Sequence, residues 1–316
     1  MSCEQTKGRF APSPTGRMHL GNVFSALLSW LSVKSKGGKW LLRIEDIDPQ
    51  RSKQQYADQI MEDLEWLGLT WDEGPYYQSE RGEIYEEYLE KLRQQDLLYL
   101  SYKTRAERLA VSAPQENDNV NENDTLTLRY ADATIREQAH YDNKPSIVLR
   151  TTPTTVTYTD QHYGEQTIRI KEDIGDFIVR RRDGAWAYQL AVVVDDALMG
   201  VTEVVRGRDL LQSAGQQIYL GGLLGFPRME YAHLPLLCNE AGQRLSKRDK
   251  SMDLGQLKER YSAEEIIGQL AVLVHLIDDK EKPCLDNQAR FCSKPANLLS
   301  LFDWNKVPRE DIIMRS

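Results

Sequence analysis

Apolar and polar positions alternate in blocks along the first hundred residues. Residues 7 to 12 read as a short strand. "LGNVFSALLSWLSVKS" follows, with apolar residues at helical spacing from Leu20 to Ser35, and "KGGK" ends it with Gly37 as the C-cap. "KWLLRIED" is an apolar run of strand length and fits a parallel strand covered on both faces. In "DIDPQRSKQQYADQIMEDLEWLGL", Asp48 reads as the cap and Pro49 as the first residue of a second helix. "SERGEIYEEYLEKLRQQDL" reads as a third, amphipathic helix. Strands alternating with helices specify the α/β class with a mostly parallel sheet.

The pattern breaks after Tyr99. "SAPQENDNVNENDT" (112–125) is polar and rich in Asn and acidic residues, so it reads as a loop. Around it, "TLTLRYADATIRE" and "KPSIVLRTTPTTVTYTD" alternate as antiparallel strands do. The expected organisation is therefore a first catalytic half over 1–99, a small inserted subdomain over 100–170 and a second half over 171–241. In the second half, Asp183-Gly184 supplies a hairpin turn. Residues 242–316 are read as a loop followed by a short helical region, where Ser262 and Glu265 stand in capping-box positions.

Composition narrows the classes. At 316 residues and 41% hydrophobic content, the chain can bury a sizeable core and divide into more than one domain. No apolar run approaches the ~18 residues of a membrane span, and "MSCEQTKGRF" does not resemble a signal peptide. Cys3, Cys238, Cys284 and Cys292 are scattered without a C-x-x-C pair, as expected of reduced thiols in a cytoplasmic protein. The net charge of −8 argues against a general nucleic-acid coat and leaves room for a local basic groove.

Two short motifs carry chemistry. In "HLGN", His19 stands where a strand gives way to a helix, and Gly21 leaves the backbone approachable. Free N–H groups and the partial positive charge of a helix start favour phosphate there. A solitary histidine is more often packed or exposed without a role, so the context decides. Far along the chain, "RLSKR" (244–248) is either a solvated loop or a basic arm that closes on a polyphosphate, with Lys247 as a point charge on pyrophosphate.

Together "HLGN" and "RLSKR" resemble the HIGH and KMSKS signatures of class I aminoacyl-tRNA synthetases. "RFAPSPTGRMHLGN", "LLRIEDIDPQRS", "WLGLTWDEGPYYQSER" and "AYQLAVVVDDALMGVTEVVRGRDLL" resemble the glutamyl branch. The resemblance covers residues 7 to 250 and implies a Rossmann-type parallel sheet with a connective insertion between its halves. By resemblance, His19, Gly21, Asn22, Leu245, Ser246 and Lys247 bind ATP, and His19 and Lys247 are catalytic. Arg9 and Arg206 would hold the γ-carboxylate of glutamate, Tyr188 would line the pocket, and Glu45 with Ser13 and Ala11 would hold the α-amino end. Phe10 and Pro12 complete the glutamate-binding stretch. The alternatives are a surface ion pair for Arg206 and a purely structural partnership with Arg43 or Arg51 for Glu45. An arginine pocket would reject glutamine, because a buried guanidinium would stay unpaired.

The implied reaction is attack of the glutamate α-carboxylate on the α-phosphate of ATP, with Mg²⁺ arriving on the nucleotide. Fewer than 70 residues follow Lys247, which leaves no length for an anticodon-binding domain. That shortened form resembles the glutamyl-queuosine tRNA(Asp) synthetase family, which activates glutamate without tRNA and places it on the queuosine base of tRNA(Asp). The other readings are a truncated glutamyl-tRNA synthetase charging the 3′ end, and a non-catalytic tRNA- or glutamate-binding paralogue, against which the intact His19, Lys247, Arg9 and Arg206 argue. Arg180 to Arg182 are either part of an RNA-binding patch or a solvated strand end. The resemblance departs at the insertion. Ser101, Lys103 and Thr134 stand where the family has zinc-binding cysteines, with Tyr130 retained, and these side chains make no thiolate site, so no structural zinc is expected. Nothing in the sequence calls for a membrane or an obligate protein partner.

Overall fold

The computed structural model describes residues 5–102, 127–129, 144–245, 252–278 and 292–314. The chain begins with strand β1 (Lys7–Phe10), helix α1 (Leu20–Ser35), β2 (Lys39–Ile44), α2 (Gln54–Trp66), β3 (Glu73–Tyr77) and α3 (Gly82–Gln94). It continues through β4 (Leu98–Ser101), β5 (Thr127–Arg129), β6 (Ser146–Leu149), β7 (Thr155–Asp160), β8 (Gly164–Arg169) and β9 (Phe177–Arg180). Then come α4 (Tyr188–Leu198), β10 (Glu203–Gly207), α5 (Leu211–Leu223), β11 (Glu230–Leu234) and β12 (Leu237–Cys238). The last elements are α6 (Leu254–Arg260), α7 (Ala263–Leu273) and β13 (Ile312–Ile313).

The main sheet runs β3-β2-β1-β10-β11-β7-β8, parallel except for the β7–β8 hairpin at its edge. Both faces are covered. On one, α1, α2, α6 and α7 build a core with Val23, Leu27, Leu31, Leu42, Ile44 and Ile267. On the other, α3, α4 and α5 pack Leu89, Leu190, Val194 and Ile218 against Leu41 and Val204. This explains the run of apolar residues Trp40, Leu41, Leu42 and Ile44 in β2, since successive side chains of a strand covered on both faces leave water. Helix α1 lies so close to β1 that a Cβ on Gly8 would stand 2.3 Å from Val33 Cγ2.

Between β1 and β10 the fold reverses: β1 leads into α1 on one face and β10 into α5 on the other. In open parallel sheets ligands bind at the carboxyl ends of the strands flanking such a switch. Arg9, Glu45 and Arg206 stand at or just past the ends of β1, β2 and β10.

Three local expectations need revision. Asp48 and Pro49 form a turn, with the Arg51 and Ser52 N–H groups bonded to the Asp48 carbonyl, and α2 starts only at Gln54. The sheets also divide the chain differently from a single 100–170 insertion. A second sheet, β5-β4-β6-β9, takes its last strand from residues 177–180. The β7–β8 hairpin instead extends the main sheet, because β7 pairs with β11. Alternation marks β7 as a strand but cannot say which sheet it joins. The Asp183-Gly184 turn and the Ser262–Glu265 capping box appear as read, the latter with both reciprocal bonds.

Candidate functional site

At the end of β1, alternation turns Arg9 and Phe10 to opposite faces. Phe10 is buried and stacks on Trp40 with centroids 5.9 Å apart, so its side chain belongs to the core. Arg9 is buried on the crevice side, where its Nε donates to Asp196 Oδ2 at 3.3 Å and its Nη1 to the Val205 carbonyl at 3.3 Å. Ala11 and Pro12 are half-buried and Ser13 is exposed. The Pro12 carbonyl accepts from the Glu45 N–H at 3.0 Å, which ties this loop to the end of β2.

Arg43 organises the floor. Wholly buried, it donates from Nη1 to Asp196 Oδ1 at 2.6 Å and from Nη2 to Glu45 Oε1 at 3.1 Å, with its Nε 3.8 Å from Asp195. Asp195 also accepts from Arg81 Nε at 2.6 Å, Gln78 Nε2 at 2.8 Å and the Tyr85 hydroxyl at 2.8 Å. Burial alone would raise the Asp196 carboxyl, but the Arg43 and Arg9 guanidiniums outweigh it and hold Asp196 below the ordinary carboxylate range. Glu45 goes the other way: burial outweighs Arg43 and Arg9 and raises it. The structural partnership of Glu45 with Arg43 is therefore real, and it orients the carboxylate without preventing a further contact.

Arg206 is held differently. Its Nε donates to His233 Nε2 at 3.2 Å, its Nη1 to Gln217 Oε1 at 2.8 Å and its Nη2 to the Leu210 carbonyl at 3.2 Å. The guanidinium also lies over the Tyr231 ring, 5.5 Å from its centroid. No carboxylate pairs with it among the described residues, and it is buried, so the surface ion pair does not form. A guanidinium has five N–H donors. Three are used here, leaving one on each terminal nitrogen, the arrangement that takes both oxygens of a carboxylate. Tyr188, the first residue of α4, senses Glu45, Arg206 and Arg9 together, and burial first and then Glu45 push its hydroxyl upward.

His19 is the N-cap of α1. Its Nδ1 accepts from the Gly21 N–H at 3.1 Å while Asn22 Oδ1 accepts from the His19 N–H at 3.0 Å. An accepting Nδ1 leaves the proton of the neutral ring on Nε2, the donor that a phosphate oxygen needs. A Cβ on Gly21 would lie 3.0 Å from His19 Cε1, so a larger residue there would press on the folded-back ring. Asn22 serves the cap. Leu245 is buried in the core beside Leu237, whose carbonyl accepts its N–H at 2.8 Å. Ser246 and Lys247 lie outside the described residues, but Asp253 just beyond them bridges to His19, and the Leu254 N–H bonds to the Met18 carbonyl at 3.0 Å.

Elsewhere, Ser101 is buried at the end of β4, while Lys103, Tyr130 and Thr134 lie outside the described residues. Arg180 pairs with Glu86 at 2.8 Å, Arg181 with Asp183 at 2.6 Å and Asp48 at 3.2 Å, and Arg182 donates to the Tyr102 carbonyl at 3.1 Å. Among the described residues, no helix is long and apolar enough to cross a membrane. Asp195, Asp196, Gln217 and His233 carry no role in the motifs above and still join the site. The signal was present in "VVVDDAL": two adjacent acids inside an apolar helix must be paired if buried.

Comparison with known proteins shows the family of the chain. Residues 5–290 match the family model of tRNA synthetases class I (E and Q), catalytic domain. A glutamyl-Q tRNA(Asp) synthetase of Symbiobacterium thermophilum is 42% identical over 96% of this chain and 94% of its own length. One from Neisseria gonorrhoeae is 39% identical over 96% of this chain and 98% of its own length. The chain belongs to the glutamyl-Q tRNA(Asp) synthetase family, within the class I synthetases for glutamate and glutamine. The crystal structure of a glutamate tRNA ligase from Elizabethkingia meningosepticum in complex with its amino acid superposes with a TM-score of 0.78. It is 27% identical, and the match covers 98% of this chain and 67% of that one. The Rossmann-type fold of this glutamyl-Q family member thus matches a solved relative along nearly its whole length.

Proposed function

We propose that this protein activates L-glutamate with ATP, independently of tRNA, and transfers the glutamate to the queuosine base in the anticodon loop of tRNA(Asp). The observation that carries the amino-acid choice is Arg206, a buried guanidinium with two N–H groups left and, among the described residues, no carboxylate paired with it. Around the floor, the guanidiniums of Arg9, Arg43 and Arg81 pair with the three carboxylates of Glu45, Asp195 and Asp196, and Arg206 stands outside those pairs. One uncompensated positive charge suits a substrate with two carboxylates and one ammonium. Glu45, oriented by Arg43, takes the ammonium; Arg206 takes the γ-carboxylate; Tyr188 closes the side.

The α-carboxylate then attacks the α-phosphorus of ATP. The new bond joins a carboxylate oxygen to phosphorus, the bond to the β-phosphate oxygen breaks, and pyrophosphate leaves with Mg²⁺. Such transfers depend on positioning and charge, not on a protein nucleophile. The positive end of the α1 dipole favours the phosphates and His19 is assigned to them through its motif, the Gly21, Asn22 and Val23 N–H groups being taken by the cap itself. Lys247 supplies a cation to the departing pyrophosphate, a role supported by its motif and by the backbone β-bridge that joins Asp253, farther along the chain, to His19. The choice of queuosine as acceptor is supported by relatives matched along almost their full lengths that bear the glutamyl-Q name.

Glutamate-dependent exchange between ATP and pyrophosphate without RNA tests activation; no exchange rejects it. Transfer is tested with tRNA(Asp) that carries queuosine but lacks its terminal adenosine. Incorporation supports the base as acceptor, and its absence, with incorporation into intact tRNA, moves the acceptor to the 3′ end.

A further inference from the structure

The atom that turns Arg206 toward its substrate is the His233 Nε2, and behind that ring stands a second acid. Asp160 ends β7, beside His233 on the neighbouring β11. Its Oδ2 accepts from His233 Nδ1 at 2.6 Å, and its Oδ1 accepts from the backbone N–H groups of His162, Tyr163 and His233 at 3.0, 2.9 and 3.2 Å. Four donors leave that carboxylate no freedom to turn. The imidazole proton therefore stays on Nδ1, and the Nε2 lone pair faces the Nε–H of Arg206 at 3.2 Å. All three groups are buried, and the His233 ring lies parallel to Tyr231, over which the guanidinium also sits.

We propose that Asp160 and His233 form a positioning relay that fixes the orientation of Arg206 without cancelling its charge, and so set the preference for a side-chain carboxylate. A carboxylate placed directly on Arg206 would orient it equally well but would compete with the substrate. Inserting a neutral ring gives the orientation and keeps the acid one ring away. Second groups that fix a histidine's tautomer in this way commonly control what its other nitrogen does.

The inference rests on the glutamate-activation reading, and four substitutions separate the two. His233→Asn keeps a donor for Asp160 but offers Arg206 no acceptor. His233→Gln restores an acceptor near the Nε2 position. Asp160→Asn keeps an oxygen for the three backbone N–H groups while its amide donates to Nδ1, forcing the ring proton to Nε2, where it opposes Arg206. Arg206→Lys removes the fork itself and sets the scale of the loss. In ATP–pyrophosphate exchange, the KM for glutamate is expected to rise about 10- to 100-fold in His233→Asn and Asp160→Asn, the worth of one hydrogen bond to a charged group. The KM for ATP is expected to stay within about twofold, and His233→Gln to recover most of the loss. Discrimination against glutamine is expected to weaken in the same two variants. Glutamate KM values within twofold of the wild type, a parallel rise in both KM values, or no rescue by His233→Gln would each overturn the relay. Nitrogen-15 shifts of His233 in the unmodified protein give an answer that needs no variant to fold: a protonated Nδ1 supports the relay and a protonated Nε2 ends it. Wild-type protein that neither binds glutamate by calorimetry nor exchanges pyrophosphate would instead remove the activation reading, and the relay with it.

Discussion

Two arginines end neighbouring strands of one sheet, yet they live in opposite electrostatic conditions. Arg9 closes on Asp196, which is itself clamped by Arg43, and so enters the site already paired. Arg206 is ringed by an imidazole nitrogen, an amide oxygen and a backbone carbonyl, all neutral. A guanidinium that has satisfied its charge can shape a pocket, whereas one held only by dipoles still seeks an anion. On the proposed function, the difference separates the group that builds the wall from the group assigned to the ligand.

The largest effect should come from removing the unsatisfied cation. Arg206→Leu is expected to lower kcat/KM for glutamate in pyrophosphate exchange by about 10³-fold or more, since a desolvated bidentate contact is lost. Its melting temperature should fall less than that of a variant that orphans a buried charge, because the three acceptors Arg206→Leu leaves behind are neutral. An equal loss of stability would erase the contrast with Arg9. Next comes the acid on the paired side. Asp196→Asn leaves Arg9 and Arg43 facing a neutral amide and is expected to destabilise the fold by about 3 kcal/mol in urea unfolding; a change under about 1 kcal/mol would show that the network is not structurally coupled. Glu45→Gln sharpens the comparison from the ligand's end. Burial already disfavours the Glu45 charge, so stability should hold or rise while the KM for glutamate increases about tenfold. An unchanged KM would detach Glu45 from the ammonium.

The smallest effect is one of pH. Burial and Arg206 lower His233 below its ordinary value of 6.5, though the bond to Asp160 opposes them. The unfolded chain therefore binds a proton at His233 before the folded one does. The stability this contributes is complete above the unfolded pKa and declines as pH falls below about 6.5. Urea melts of wild-type protein and His233→Gln, compared from pH 7.5 to 5.5, should diverge in that direction, and parallel profiles would refute it.

Much of this was legible from residue order alone. Helix α1 has the bounds its apolar spacing predicts, because it packs against β1, β2 and β10 with few exposed positions. The capping box at Ser262 was equally readable, being a contact between residues three apart. What stayed hidden was long-range. Asp48-Pro49 carries helix-start chemistry, yet the chain spends it on a turn before α2. The β7–β8 hairpin alternates like any antiparallel pair, and only its partner β11 reveals which sheet it extends. Phe10 and Leu245 sit inside motifs and still belong to the core, since a motif says nothing about which way each side chain points. His233 and Asp160, 73 residues apart, become neighbours only through strand pairing.

That dependence reaches its extreme at the seam where Gly8 faces Glu203. During synthesis the ribosome releases Arg9, His19 and Glu45 long before Arg206 exists, so the nascent amino-terminal half holds an incomplete receptor. Such distant pairings are slow to close. The emerging chain should stay inert toward its amino acid until strand β10 slides in beside the first, and competence should then arrive in a single step.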